Sequence, residues 1–188
     1  MVITLGNSLH ATFRVQKALL IEDTLEANRV YATKLAEITE LFLNSVVTQL
    51  SFSANYIGTD FDSTVARNNE LQRLIKQTSS FNSAVIVNAA GEVLSTAPSS
   101  LNLTGFVVES AQARAPLLRK EPNIATYFIS PAGNFIISVS HPIFNDVGKY
   151  QGFIATSSYL QGDNILNRLL GKHYNSDGSY LYFADQNK

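Results

Sequence analysis

The 188 residues contain no cysteine and no tryptophan. Without cysteine there is no disulfide, no thiolate-bound zinc and no thiol nucleophile. An oxidising compartment is permitted by that lack and not required by it. A basic excess is missing too. The 14 Lys and Arg stand against 15 Asp and Glu for a net charge of −1, and no basic run exceeds the Arg119-Lys120 pair. Nucleic acid is therefore not an expected partner, because phosphate neutralisation needs a concentrated basic face. No stretch reaches the roughly 18 consecutive apolar residues that a membrane helix needs. Residues 1–5 (MVITL) lack a basic leader and are too short for the apolar core of a signal peptide. If the protein is a membrane receptor, its anchors are expected outside these residues.

Chemistry-bearing motifs are equally scarce. There is no nucleophile elbow, phosphate loop or metal-ligand cluster, and His10, His141 and His173 lie far apart. Ser140, His141 and Asp146 suggest a triad on paper. Adjacent strand residues point to opposite faces, however, which keeps Ser140 from His141. Asp60 and Asp62 read as loop and capping residues rather than an acid–base pair. The expectation is a binding module rather than an enzyme, with no cofactor and no metal.

What is present begins with a long helical pattern over residues 7–56, free of proline and glycine. Leu25, Ala32, Leu35, Ile38, Phe42 and Val46 recur at three-and-four spacing. Fifty residues in one helix would span about 75 Å. Such a helix either bends into two or projects, and a projecting apolar stripe is best hidden by a parallel partner in a homodimer. Residues 58–62 (GTDFD) read as a loop, with Asp62 or Ser63 capping a second helix over 64–78.

Strands follow. Residues 81–87 (FNSAVIV), a turn at 88–91 and residues 92–97 form a hairpin. Residues 105–118 are ambiguous, with a short helix from Ser110 as one reading. From residue 123 the pattern is antiparallel sheet. Alternation over 135–140 marks a half-buried strand, 145–148 (NDVG) is a turn, and 150–159 returns. A short helix over 165–170 and a strand over 179–184 then repeat the order seen at 64–91, so a second copy of the same unit begins there. The fold class expected is α/β of the α+β kind: a long N-terminal helix, a PAS-like antiparallel sheet with flanking helices, and the start of a similar second unit.

These segments together resemble the extracytoplasmic double Cache sensor domain of bacterial transmembrane receptors, in particular membrane diguanylate cyclases with a GGDEF output. The likeness is carried by residues 26–43 (EANRVYATKLAEITELFL), 81–98 (FNSAVIVNAAGEVLSTAP) and 129–160 (ISPAGNFIISVSHPIFNDVGKYQGFIATSSYL), and by 178–188 (GSYLYFADQNK) as the start of the membrane-proximal unit. The resemblance implies a helical stalk over 1–57, a membrane-distal ligand-binding unit over 58–162, and the beginning of the second unit over 163–188. It also implies a periplasmic location, a small-molecule ligand, a homodimer through the N-terminal helix and a signalling output. A histidine kinase or chemoreceptor output is an alternative, as is a protein-interaction domain without a small ligand.

The chain departs from the amino-acid-sensing members in two places. Their Arg-x-Trp-Tyr pattern has no counterpart where tryptophan is absent, and Ser157 stands where their closing-strand aspartate is expected. The ligand-binding residues expected are Tyr127, Ser138, Ser140, Arg67 and Ser157, with Ser130 beside them. The serine and tyrosine hydroxyls would bond a small polar ligand and Arg67 would clamp a carboxylate, with Arg73, Arg114 and Arg119 as rivals. Ser138 and Ser140 as the solvated face of a strand is the plainer alternative.

Overall fold

The computed structural model describes residues 2–77 and 81–159, apart from the side chains of residues 2–11, Thr126 and Tyr127. The expected helix over 165–170 and strand over 179–184 lie outside the described residues. Helix α1 runs Val2–Thr59 and α2 runs Thr64–Gln77. Strands β1 (Ser83–Asn88) and β2 (Val93–Ala97) follow, then a single 3-10 turn (Ser99–Leu101) and α3 (Ala111–Arg119). Strands β3 (Asn123–Ile129), β4 (Phe135–Phe144) and β5 (Tyr150–Tyr159) complete the order.

The chain forms two compact units, residues 1–40 and 41–188. In the first, α1 carries apolar side chains on its surface. Leu25 is 64% exposed and Ile38 is 43% exposed, although both belong to the stripe expected to be hidden. Thr24 and Thr33 donate their hydroxyls back to the carbonyls of Leu20 and Arg29, the usual outlet for a polar side chain inside a helix.

In the second unit the end of α1 is core. Val46, Leu50, Ser53 and Ile57 are buried at four- and three-residue intervals, one face of the helix. The sheet unit therefore starts well before the expected residue 58. Gly58 does not stop the helix either, which continues to Thr59. Its role is close packing. A Cβ built on Gly58 would lie 2.2 Å from the carbonyl oxygen of Phe144 on β4. The next helix is capped by Ser63, whose Oγ accepts from Ala66 N at 3.2 Å.

The strands make one antiparallel sheet in the order β2-β1-β5-β4-β3. Antiparallel pairing throughout, with helices on the sheet, is the α+β, PAS-like architecture expected. Two turns work the same way. Asn88 Oδ1 accepts from Ala90 N and Glu92 N, and Asn145 Oδ1 accepts from Val147 N and Lys149 N. In each, an Asn side chain stands in for a backbone acceptor. Gly148 supplies the positive φ, 78°, that closes the β4–β5 turn.

One face of the sheet meets the helices. Ala84, Ile86, Val139, Ile143 and Ile154 pack with Leu50, Ala54, Ile57, Leu71 and Leu74. The other face carries a smaller cluster of Val87, Val93, Val108, Phe153 and Ala155. A bulge in β2 links the two. Ile86 pairs with Ser95 and Val87 with Val93, so Leu94 is the extra residue. Strand side chains alternate with period two, so this one insertion lets Val93 face one side while Ser95 and Ala97 face the other.

Candidate functional site

A cavity of about 80 Å³ opens on the second face of the sheet. Its floor follows from register. Ser157 on β5 lies opposite Ser83 on β1 and opposite Ser138 on β4, and Ser138 lies opposite Ala125 on β3. The next row reads Val85, Ala155, Ser140 and Asn123, and beyond it Val87 pairs with Phe153. Hydroxyl and amide groups thus occupy one part of the floor and hydrocarbon the other.

The cover comes from three connections. Leu101, Leu103, Phe106 and Val108 descend from the loop after β2. That loop is tied to the sheet by Val93 N donating to Phe106 O and Gly105 N donating to Val93 O, both at 2.8 Å. Gln112, Ala113 and Pro116 of α3 add the second wall. Ser110 starts this helix by accepting from Ala113 N at 3.2 Å, which resolves the ambiguous segment 105–118 in favour of the helix reading. Pro116 has no N–H to give the Gln112 carbonyl one turn back. The β3–β4 turn, residues 130–132, closes the third side.

Hydrogen bonding differs among the floor groups. Ser138 Oγ donates to Thr156 O at 3.2 Å, and Ser140 Oγ donates to Asn123 O at 3.3 Å. The amide of Asn123 is oriented by Arg119, whose Nη1 donates to Oδ1 at 3.1 Å. Ser130 Oγ accepts from Asn134 N. The hydroxyls of Ser83 and Ser157 line the cavity with no hydrogen-bond partner among the described residues.

Three of the expected ligand residues, Ser138, Ser140 and Ser157, therefore meet in one cavity, and Ser130 joins them. Tyr127 lies on β3 within a second bulge, between the Ala125–Ser138 and Phe128–Ile136 pairs, and its side chain is outside the described residues. Arg67 is placed elsewhere. It is 6% exposed, with Nε donating to Ser95 Oγ at 3.2 Å, Nη2 to Thr64 Oγ1 at 3.0 Å and Nη1 to the Phe61 carbonyl. Those partners lock α2 onto the face of β2 opposite the cavity, so the guanidinium is a brace between helix and sheet and not a ligand clamp at this cavity.

Arg73 is likewise occupied, by Glu70 Oε2 at 2.8 Å and Ser53 Oγ at 3.2 Å. Burial alone would raise the Glu70 carboxyl, but hydrogen bonds from Arg73 and Ser53 and the charge of Arg73 outweigh it and hold the carboxyl below its usual range. Arg114 is exposed on α3. Arg119 is the one of the four connected to the cavity, through Asn123. Ser140 and His141 pair with Ala155 and Ile154, which belong to opposite faces, and His141 Nδ1 contacts the Pro142 carbonyl at 2.9 Å. A Ser140–His141 catalytic pair is ruled out by that alternation.

Sequence reasoning missed Asn123, Ser83 and the apolar cover. Five large apolar residues within 101–108 (LNLTGFVV) were the available signal, since a solvated loop does not carry that density.

No protein-family profile matches the chain, and no curated protein matches it. Solved structures do. An extracellular ligand-binding receptor from Desulfohalobium retbaense aligns at a TM-score of 0.67 and 15% identity, over 74% of this chain and 26% of that one. The ligand-binding domain of the Campylobacter jejuni chemoreceptor Tlp3, in complex with 4-methylisoleucine, aligns at 0.61 and 14%, over 80% and 63%. That of the Pseudomonas fluorescens chemoreceptor CtaA, in complex with L-isoleucine, aligns at 0.55 and 16%, over 72% and 55%. This is the fold of extracellular ligand-binding domains. At such identities the likeness is one of fold, and the chain spans less than two thirds of each of these proteins.

Proposed function

We propose that the chain is the extracytoplasmic sensing part of a bacterial membrane signalling protein, with the cavity on the sheet as its ligand site. The observation that carries this reading is the cavity itself. It is a concave, largely apolar space with a few convergent polar groups, two of them hydroxyls without a partner among the described residues, on a fold shared with ligand-binding domains. Residues 58–162, with the end of α1 added, are the sensor unit in this reading, and residues 163–188 begin a second one.

Signal transfer runs through α1. Exposed apolar residues such as Phe13, Leu20 and Leu25 favour a paired helix in a homodimer. Ligand binding shifts the balance between two arrangements of that pair, by no more than its differential affinity for them. In this reading the domain binds and relays, and performs no chemistry. A diguanylate cyclase output is the reading suggested by the sequence resemblance. A chemoreceptor output is the second reading, favoured by the chemoreceptor domains among the fold neighbours.

The test is a thermal-shift screen of the purified domain against amino acids, carboxylates, polyamines, purines, sugars and small neutral molecules. A ligand at a hundred times its dissociation constant adds about 2.7 kcal/mol of stability, and the shift should vanish in Ala155→Leu. Silence across the panel would overturn the ligand-sensing reading in favour of a protein-interaction role.

A further inference from the structure

Among the described residues no Asp, Glu, Lys, Arg or His lines the cavity. Bringing a carboxylate or an ammonium group into it would therefore strip the charge of water without supplying a counter-charge, and that cost is large. The nearest cation by connection, Arg119, is engaged with Asn123 Oδ1. This contact also fixes what Asn123 offers. A guanidinium has only donors, so it takes the oxygen end of the amide and leaves the Nδ2 hydrogens for an acceptor.

The rest of the polar floor is complementary. The Ser138 and Ser140 hydroxyl hydrogens are committed to backbone carbonyls, so both oxygens present lone pairs. Ser83 and Ser157 can each donate or accept. One oxygen able to accept satisfies the Asn123 amide and the Ser83 and Ser157 hydroxyls without carrying charge. A hydroxyl or amide hydrogen on the same molecule can meet the Ser138 and Ser140 lone pairs. The opposite part of the cavity, around Val87, Val93, Phe153 and Val108, calls for hydrocarbon.

Resting on the ligand-sensor reading above, we propose that the cavity selects small uncharged molecules bearing one carbonyl or hydroxyl oxygen on a short hydrocarbon body. It would reject free carboxylates and zwitterionic amino acids. Size points the same way. About 80 Å³ is near half of the roughly 150 Å³ cavity that admits benzene, so the occupant is smaller than benzene. A ligand of about five non-hydrogen atoms binds no tighter than about micromolar, which suits detection of a compound present at micromolar to millimolar levels.

The experiment uses probes matched in size and differing in charge. The ¹⁵N-labelled 188-residue chain is titrated at pH 7 with propionamide and butanone, and in parallel with propionate and glycine. Saturable shifts of the Ser83, Ser140, Ala155 and Ser157 amides are expected with the two neutral probes, and affinity at least tenfold weaker with the two charged ones. Ser157→Ala should weaken the neutral probes about tenfold, the worth of one hydrogen bond. Ala155→Leu should abolish binding. If that variant loses its dispersed spectrum, the Ser157→Ala titration carries the test alone. Propionate or glycine saturating the same amides as tightly as propionamide would overturn the ligand class and leave the sensor reading standing. No saturation by any of the four would overturn the ligand class, with the broader screen above deciding the sensor reading separately.

Discussion

Gly58 on α1 lies against the backbone of β4 so closely that a single added carbon would stand 2.2 Å from the carbonyl oxygen of Phe144. The helix and the sheet thus touch backbone to backbone at this point. In an exposed helix, Gly→Ala gains about 1 kcal/mol from propensity. Here the overpacking cost of about 1–3 kcal/mol or more wins. Gly58→Ala is expected to destabilise the domain by about 2 kcal/mol in urea unfolding, and a gain in stability would show that the contact relaxes freely.

Arg67 yields a second prediction. Arg67→Ala removes a brace and leaves the Phe61 carbonyl and the Ser95 hydroxyl buried without that donor, at a cost of about 3 kcal/mol. Folded protein recovered at low temperature should bind any cavity ligand with wild-type affinity. A large change in affinity without loss of stability would return Arg67 to the ligand site.

That residue also shows what could be read in advance. Alternation across 135–140 was enough to place Ser138 and Ser140 on a common face, because strand geometry allows little else, whereas Ser157 was marked only by the family resemblance. The N-terminal position of Ser110 and the Asn-Gly turns were legible for similar local reasons. The face of α2 that meets β2 was not, since an arginine on an amphipathic helix reads alike whether it is solvated or locked to a carbonyl. The extent of α1 in the core was hidden by a stripe that continues unchanged from the exposed residues around Leu25 into the buried ones around Leu50. Periodicity records a face and says nothing of what covers it.

A third prediction separates two buried serines. The Ser83 hydroxyl has no hydrogen-bond partner among the described residues, so Ser83→Ala should change stability by less than about 0.5 kcal/mol, because no bond is lost. Ser140 donates to the Asn123 carbonyl, so Ser140→Ala should cost about 1 kcal/mol. Equal costs, measured by the shift in urea midpoint, would refute the contrast.

The fourth concerns pH. Desolvation by burial pushes the Tyr150 phenol up to about 12, from 10 in an unfolded chain. Between those values the unfolded chain has released the proton while the folded one retains it, so stability falls as pH rises from 10 to 12. Ultraviolet titration of tyrosine should include a late step near pH 12 from Tyr150. Tyr150→Phe should remove it and flatten the alkaline loss, and an unchanged late step would assign it to another tyrosine.

The bulge at Leu94 acts as a half-period shift in the strand's own reading frame. Upstream of it β2 contributes to the cavity, and downstream to the seat of α2. Deleting that one residue would remove the bulge and keep both roles, with Val93 toward the cavity and Ser95 and Ala97 toward α2. Pairing all five residues of β2 without a bulge would instead turn Ser95 and Ala97 toward the ligand and strand Arg67. The strand can therefore give up one residue at the bulge and keep its two faces, while one residue added between Ser95 and Ala97 without a new bulge would reverse the face of everything after it.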